Sequence, residues 1–227
     1  METAKKIFNI ISLVLNLLIV GFTVYAVSTF YTGTGDGNMM VKGTESFRFF
    51  TVDSNILAAV MSIVMLVFNF KKIKNINAEV PDSVRLLKFM STVAVTLTMI
   101  TACFFLSTVY TLKMMISGSC FFLHLITPLL AIFSCTVFEA DSKMNFKKML
   151  SGLIPTVLYG SVYIVMVLIL GKANGGWEDF YSFNSGILEN KWYLSIIIML
   201  FATFLISLVL RAIHNGIVKL IKSKERK

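Results

Sequence analysis

The chain has 227 residues, of which 56% are hydrophobic, 13% aromatic and only 15% charged. Soluble domains hold about 45–50% apolar residues and about 25% charged ones, so that class is excluded; so is disorder, given 20 Phe and 13 Met. The net charge of +9 lies between apolar runs, where membrane topology would place it, and nucleic acid is not a plausible partner.

A bilayer core about 30 Å thick needs roughly 20 apolar residues. Six runs qualify, at about 7–30, 47–70, 86–112, 117–138, 150–170 and 192–213. The fold expected is all-α: a polytopic membrane protein with six transmembrane helices in one bundle, residues 1–227 forming a single domain. The first run follows Lys5 and Lys6 and is longer than the apolar part of a signal peptide, so it reads as a retained helix. It carries a stripe of Asn9, Ser12, Asn16 and Thr23. The connection Tyr31–Ser46 holds Gly33, Gly35, Gly37 and Gly43 and is expected to be flexible.

The second run has a polar face. At about 100° per residue, Asn55, Ala58, Ser62 and Asn69 fall within about 40° of Thr51, a pattern that packs toward a bundle interior. Asp53 projects about 160° away from Thr51, which favours a structural over a catalytic carboxylate. The third run is rich in threonine (Thr92, Thr96, Thr98, Thr101, Thr108) and ends in Ser107 and Tyr110. Tyr110 is a candidate hydrogen-bond donor to an outward cavity.

In the fourth run Ser117, Cys120, His124, Thr127, Ala131 and Cys135 lie on one side. Pro128 removes the helical donor to the carbonyl of His124, so a kink is expected there. The fifth run carries Pro155, Tyr159 and Tyr163, of which Tyr163 could also reach the cavity. After it, the connection Gly171–Lys191 brings Trp177, Tyr181 and Phe183, and Trp192 and Tyr193 open the sixth run. These rings read first as an interfacial belt and second as a lid over an outward-facing cavity. The basic tail Lys219–Lys227 reads as a segment facing anionic lipid.

Of the 21 Lys and Arg residues, 16 fall on the side of the two termini, which predicts that both termini are cytoplasmic. Cys103, Cys120 and Cys135 sit inside apolar runs and suggest buried thiols without disulfides. Hydrolase elbows, P-loops, HExxH and CxxC pairs are absent. Neither a cofactor nor a metal is implied; Asp53 with His124 would lack further ligands.

Ionisable groups inside spans are functional candidates. Away from the cytoplasmic ends these are Asp53 and His124, about six and seven residues below the outer ends of their runs, which is about 9–11 Å. Thr51 and His124 share a depth and an interior-facing orientation. A hydroxyl becomes a nucleophile when a base takes its proton, and a neutral histidine can do so. Such a dyad in an apolar cavity suits a lipid ester.

The segment Phe47-Arg48-Phe49-Phe50-Thr51-Val52-Asp53-Ser54-Asn55, opening a helix after an external connection, resembles the androgen-induced (FAR-17a-type) membrane protein family and its prokaryotic relatives. Leu123-His124-Leu125-Ile126-Thr127-Pro128 in the fourth run does too. The resemblance implies a multi-pass threonine hydrolase that cleaves esters of fatty acids with hydroxy fatty acids. Thr51 is then the nucleophile and His124 the general base, with Asn55 on the same face as support and the oxyanion stabiliser unassigned. The implied partners are the membrane and a lipid or fatty-acyl substrate. The 17 Lys against 4 Arg hint at a bacterial plasma membrane. The alternatives are a small transporter or membrane sensor using Asp53 and His124, and a scaffold for other membrane proteins.

Overall fold

A computed structural model describes residues 2–34, 42–184 and 191–225. The described residues are 84% helical and contain no strand. Among them six helices are long and apolar enough to cross a membrane: α1 (Glu2–Thr32), α2 (Phe50–Lys74), α3 (Asp82–Leu106), α4 (Gly118–Phe138), α5 (Phe146–Leu170) and α6 (Trp192–Lys224). The chain is an all-α, multi-pass membrane protein. Much of the connection 31–46 (residues 35–41), part of 171–191 (residues 185–190) and Arg226–Lys227 lie outside the described residues, and so does much of the flexibility expected of the first connection.

The polar stripes lie inside the bundle. Asn9, Ser12, Asn16 and Thr23 of α1 are buried, as are Asn55, Ala58, Ser62 and Asn69 of α2 and Cys120, His124, Thr127, Ala131 and Cys135 of α4. The opposite faces carry Ile10, Val14 and Val24, or Leu158, Ile169, Phe201 and Val209, all exposed. Water would penalise that apolar belt and lipid would not. Helix α3 is the most buried of the six and forms the axis. Its Phe89, Val93 and Leu97 pack with Cys135, Met149, Ile206 and Leu210, while Val95 meets Ile19, Ala58 and Ala131.

Several boundaries differ from those expected: α1 begins at Glu2, α5 at Phe146, and α6 runs on to Lys224, so the basic tail from Lys219 continues the last helix; the second and third spans differ for local reasons. The second span was placed from Phe47, but Gly43–Arg48 forms a 3-10 turn, Phe49 is extended (φ −95°, ψ 128°), and α2 starts at Phe50. Thr51 therefore sits in the first helical turn, nearer the membrane edge than composition suggested. The third span was carried to Leu112. Instead the helix runs on through Ser107–Val109, where the Ser107 and Thr108 hydroxyls bond back to Cys103 and Phe105 carbonyls and compete with the ladder, and it breaks at extended Tyr110 (φ −107°, ψ 164°), after which a short helix Leu112–Met115 follows. Before Pro128, a π-helical turn Phe122–Ile126 makes room for the proline ring.

Two buried charges escaped the sequence reading, which had assigned Lys88 to the basic end and passed over Glu139. At the end of the bundle that carries the termini, Lys88 is 2% exposed and Glu139 8%. Lys88 Nζ donates to Asn16 Oδ1 (2.7 Å) and Ser62 Oγ (2.8 Å). Glu139 Oε1 accepts from Ser12 Oγ (3.0 Å), Asn16 Nδ2 (2.7 Å) and Ser134 Oγ (2.5 Å). The Asn16 amide thus touches both charges, one at each end. Asn69 Nδ2 extends the cluster to Asn9 Oδ1 (2.9 Å) and Ser12 Oγ (3.0 Å). Buried charges are tolerated when paired and hydrogen-bonded, and this cluster fastens α1, α2, α3 and α4 together at one end. The last helix is tied in beside it, with both ring nitrogens of buried His214 facing the carbonyls of Cys135 (3.2 Å) and Ser142 (2.9 Å).

Candidate functional site

Thr51 occupies the second position of α2, immediately after the chain turns in through extended Phe49. From α4, the side chain of His124 reaches it: Thr51 Oγ1 and His124 Nε2 are 3.4 Å apart. That is long for a hydrogen bond, as unliganded catalytic pairs often are. His124 is 1% exposed and stands behind Thr51 in the interior. Its second nitrogen, Nδ1, lies 2.6 Å from the carbonyl oxygen of Met115. A carbonyl can only accept, so Nδ1 carries the proton and donates. The Nε2 lone pair is then the one directed at Thr51.

This carbonyl fills the orienting role that a carboxylate plays in a Ser-His-Asp triad. It comes from the last residue of the short helix Leu112–Met115, whose terminal carbonyls lack helical partners. Sequence reasoning missed it because a backbone oxygen leaves no residue signature. The clue available was the short polar interruption between the third and fourth runs.

Asn55 is one turn below Thr51 on the interior face and fully buried. Its Nδ2 donates to the Thr51 carbonyl (2.7 Å) and to the Leu123 carbonyl (3.1 Å). One amide therefore joins the backbone at the hydroxyl to the backbone one residue before the imidazole. Ser54 adds a link to α3, with its hydroxyl 2.9 Å from that of Thr98.

On the other side of Thr51 lies a partly open cavity of about 50 Å³, lined among others by Phe50, Leu106, Tyr159, Tyr181, Phe183 and Met199. It has room for about four waters, so an acyl chain enters only if part of its wall moves. Tyr181 and Phe183 come from the connection between α5 and α6. Tyr181 is 9% exposed, and Phe180 of the same connection packs against Phe49 with ring centroids 4.6 Å apart and planes tilted at 48°. These rings are therefore a cover over the cavity, the second of the two readings of this connection. Trp192 and Tyr193 remain exposed, as belt residues are. Tyr163 also reaches the cavity wall.

The remaining candidates lie apart. Asp53 is half-buried and outside the cavity lining, and among the described residues no hydrogen bond or ion pair reaches its carboxylate. Tyr110 is exposed beyond the end of α3 and does not line the cavity. The site is Thr51 and His124 with Asn55 below them; Asp53 and Tyr110 are not in it. Among the described residues no three His, Cys, Asp or Glu side chains cluster as a metal site would need. No protein-family model, curated protein or solved structure matches the chain.

Proposed function

We propose that this protein is an intramembrane lipid-ester hydrolase with Thr51 as nucleophile and His124 as general base. The observation that carries the reading is the orientation of His124: Nδ1–H is held on the Met115 carbonyl at 2.6 Å, which aims Nε2 at the Thr51 hydroxyl 3.4 Å away. The aromatic and aliphatic cavity on the far side of Thr51 supports an acyl substrate.

The chemistry follows from those positions. Thr51 Oγ1 attacks the ester carbonyl carbon as its proton passes to His124 Nε2. The tetrahedral intermediate collapses, the bond to the alkoxy oxygen breaks, and that oxygen takes the proton from Nε2. Water then attacks the acyl-threonine, gives a proton to Nε2, and the acid leaves as the proton returns to Thr51. Met115 holds the imidazolium formed at each step, and Asn55 keeps the two reacting groups in register.

The substrate class is an ester of a fatty acid with a hydroxy fatty acid or a related lipid, as the resemblance to the androgen-induced (FAR-17a-type) family implies. The basic residues at the end of the bundle bearing the termini favour a cytoplasmic location for that end, so the site opens toward the outer leaflet, and the Lys-rich composition favours a bacterial plasma membrane. A fluorophosphonate probe tests the chemistry. It should label Thr51 in the full-length protein, and Thr51→Ala and His124→Ala should each abolish labelling. Labelling that persists in Thr51→Ala refutes the assignment.

A further inference from the structure

An ester hydrolase must hold the negative charge that develops on the carbonyl oxygen, and neither Thr51 nor His124 can do so. The groups that can are on the cavity side of Thr51. Among the described residues Phe49, the residue before α2, makes no side-chain cap. The first free N–H, that of Phe50, donates instead to the Tyr181 hydroxyl at 3.0 Å. Among the described residues the N–H of Thr51, in the first turn of α2, has no backbone acceptor. Thr51, Tyr159 and Tyr181 line the same cavity.

Proton counting then identifies the spare donor. Tyr181 Oη accepts from Phe50, so its own proton is still to be given. Thr51 directs its proton at His124, and Tyr159 spends its proton on the Arg48 carbonyl at 2.6 Å. Tyr163, the third tyrosine on the cavity wall, gives its proton to Asp179, so among the described residues Tyr181 is the one cavity tyrosine whose O–H is unassigned. Burial pushes its phenol up to about 12, the opposing hydrogen bond from Phe50 being the smaller effect. The donor form therefore persists throughout the physiological range.

The connection that carries Tyr181 is built to hold it there. Tyr181 N–H donates to Tyr163 Oη at 3.1 Å, and Tyr163 donates to Asp179 Oδ1 at 2.8 Å. The same carboxylate accepts from Phe183 N (2.9 Å) and Asn184 N (2.8 Å). Next to Tyr181, Ser182 adopts φ +56°, the one positive φ at a non-glycine among the described residues. Strain of that kind persists where surrounding contacts over-determine it, and it clusters at functional sites.

We propose that the Tyr181 hydroxyl, steadied by the Phe50 N–H and joined by the Thr51 N–H, is the oxyanion-binding group of the Thr51–His124 site. The assignment rests on the hydrolase reading above and extends it to a third catalytic residue, contributed by a connection between spans. The ligand is the carbonyl oxygen of a fatty-acyl ester seated between Thr51 Oγ1 and Tyr181 Oη. As Thr51 attacks, the carbonyl π pair moves onto that oxygen, which accepts hydrogen bonds from Tyr181 and Thr51 N–H. Tyr181 keeps its proton throughout. When the carbonyl re-forms, the electron pair returns and the alkoxy group leaves with the proton held by His124. Because Tyr181 also walls the cavity, its hydroxyl is placed to meet the substrate oxygen.

The test uses the full-length protein in detergent micelles with a 4-methylumbelliferyl fatty-acyl ester as substrate. Tyr181→Phe keeps the ring and removes the donor. It should lower kcat about 10²–10³-fold, as loss of one oxyanion donor does, with KM within about threefold and a melting temperature lowered by about 2–12 °C because the Phe50 N–H loses its acceptor. A folded Tyr181→Phe protein with near-native kcat overturns the proposal. Should that variant not fold, 2,3-difluorotyrosine at position 181 keeps the shape and acidifies the phenol. Activity should then acquire a basic limb well below that of the native protein, because a phenolate cannot donate, and a superimposable pH profile overturns the proposal. Failure of the hydrolase reading itself is separate: Thr51→Ala would retain native turnover.

Discussion

Replacing Lys88 with methionine tests the physics of the buried charged cluster. Methionine retains the stem and the volume but removes the ammonium that donates to Asn16 Oδ1 at 2.7 Å and Ser62 Oγ at 2.8 Å. Two bonds from a charged donor are worth about 1.5–3 kcal/mol each. Relief from burying the ammonium offsets part of that loss. The carboxylate of Glu139, 8% exposed, then stays buried without the opposite charge that Asn16 connects to it, and among the described residues Glu139 Oε2 already has no hydrogen-bond partner. Removing one member of a buried pair costs about 3–5 kcal/mol. For a chain of this length that lowers Tm by roughly 6–20 °C, at about 2–4 °C per kcal/mol. Glu139→Gln preserves an acceptor for Ser12, Asn16 and Ser134 while removing the negative charge. The double variant should therefore be more stable than the sum of the two single losses by about 1–3 kcal/mol. Reversible SDS titration of each protein from mixed micelles, followed by tryptophan fluorescence, measures all three values. Losses that add to within about 0.5 kcal/mol, or a cost for Lys88→Met below about 1 kcal/mol, refute the argument that the two charges support one another. Probe labelling of Thr51 well below the melting temperature should survive in all three variants, because the cluster lies at the other end of α2.

Gly176 folds the connection that carries Tyr181: a Cβ there would stand 2.1 Å from the Met166 carbonyl. Gly176→Ala should lower kcat for the fluorogenic ester by about tenfold or more, by shifting Tyr181 as catalytic geometry is lost, while the melting temperature changes little; native kcat would show that Tyr181 is placed independently of this turn. In pH–rate measurements kcat/KM should fall on the acid side with a slope of one proton, since His124 must be neutral to accept the Thr51 proton. No basic limb is expected below about pH 10, because Tyr181, pushed up to about 12 by burial, stays protonated there; a native basic limb at neutral pH would contradict the donor role.

How far the site could be read in advance depends on the range of each interaction. Helix periodicity alone puts Thr51 and Asn55 on one face and His124 on the interior face of its own helix, and both helices do turn those faces inward. That the hydroxyl and the imidazole meet depends on the packing of α2 against α4, separated by 73 residues. The Met115 carbonyl and the Phe50 N–H belong to every residue type alike, so no motif could mark them as an orienter and a fastening point. Tyr181 was ambiguous because an aromatic ring beside a membrane span is equally at home in an interfacial belt; its burial and the hydrogen bond from Phe50 distinguish the cover from the belt. Lys88 and Glu139 were passed over for a related reason. Distance from a span end measures depth along one helix, whereas desolvation depends on how many neighbouring helices surround the group.

By itself the sequence determined the class of molecule and the inward faces of α1, α2 and α4, because hydrophobicity and the 3.6-residue period are properties of the chain read one segment at a time. It also narrowed the intramembrane chemistry to a hydroxyl and an imidazole. Only the tertiary structure decided which of the possible partners came together: Thr51 with His124, His124 with the Met115 carbonyl, Tyr181 with Phe50 N–H, and Lys88 with Asn16. Each of those pairs joins separate segments through directional hydrogen bonds that are lost within about an ångström of displacement, and such positions are set by the packing of whole helices rather than by any local pattern.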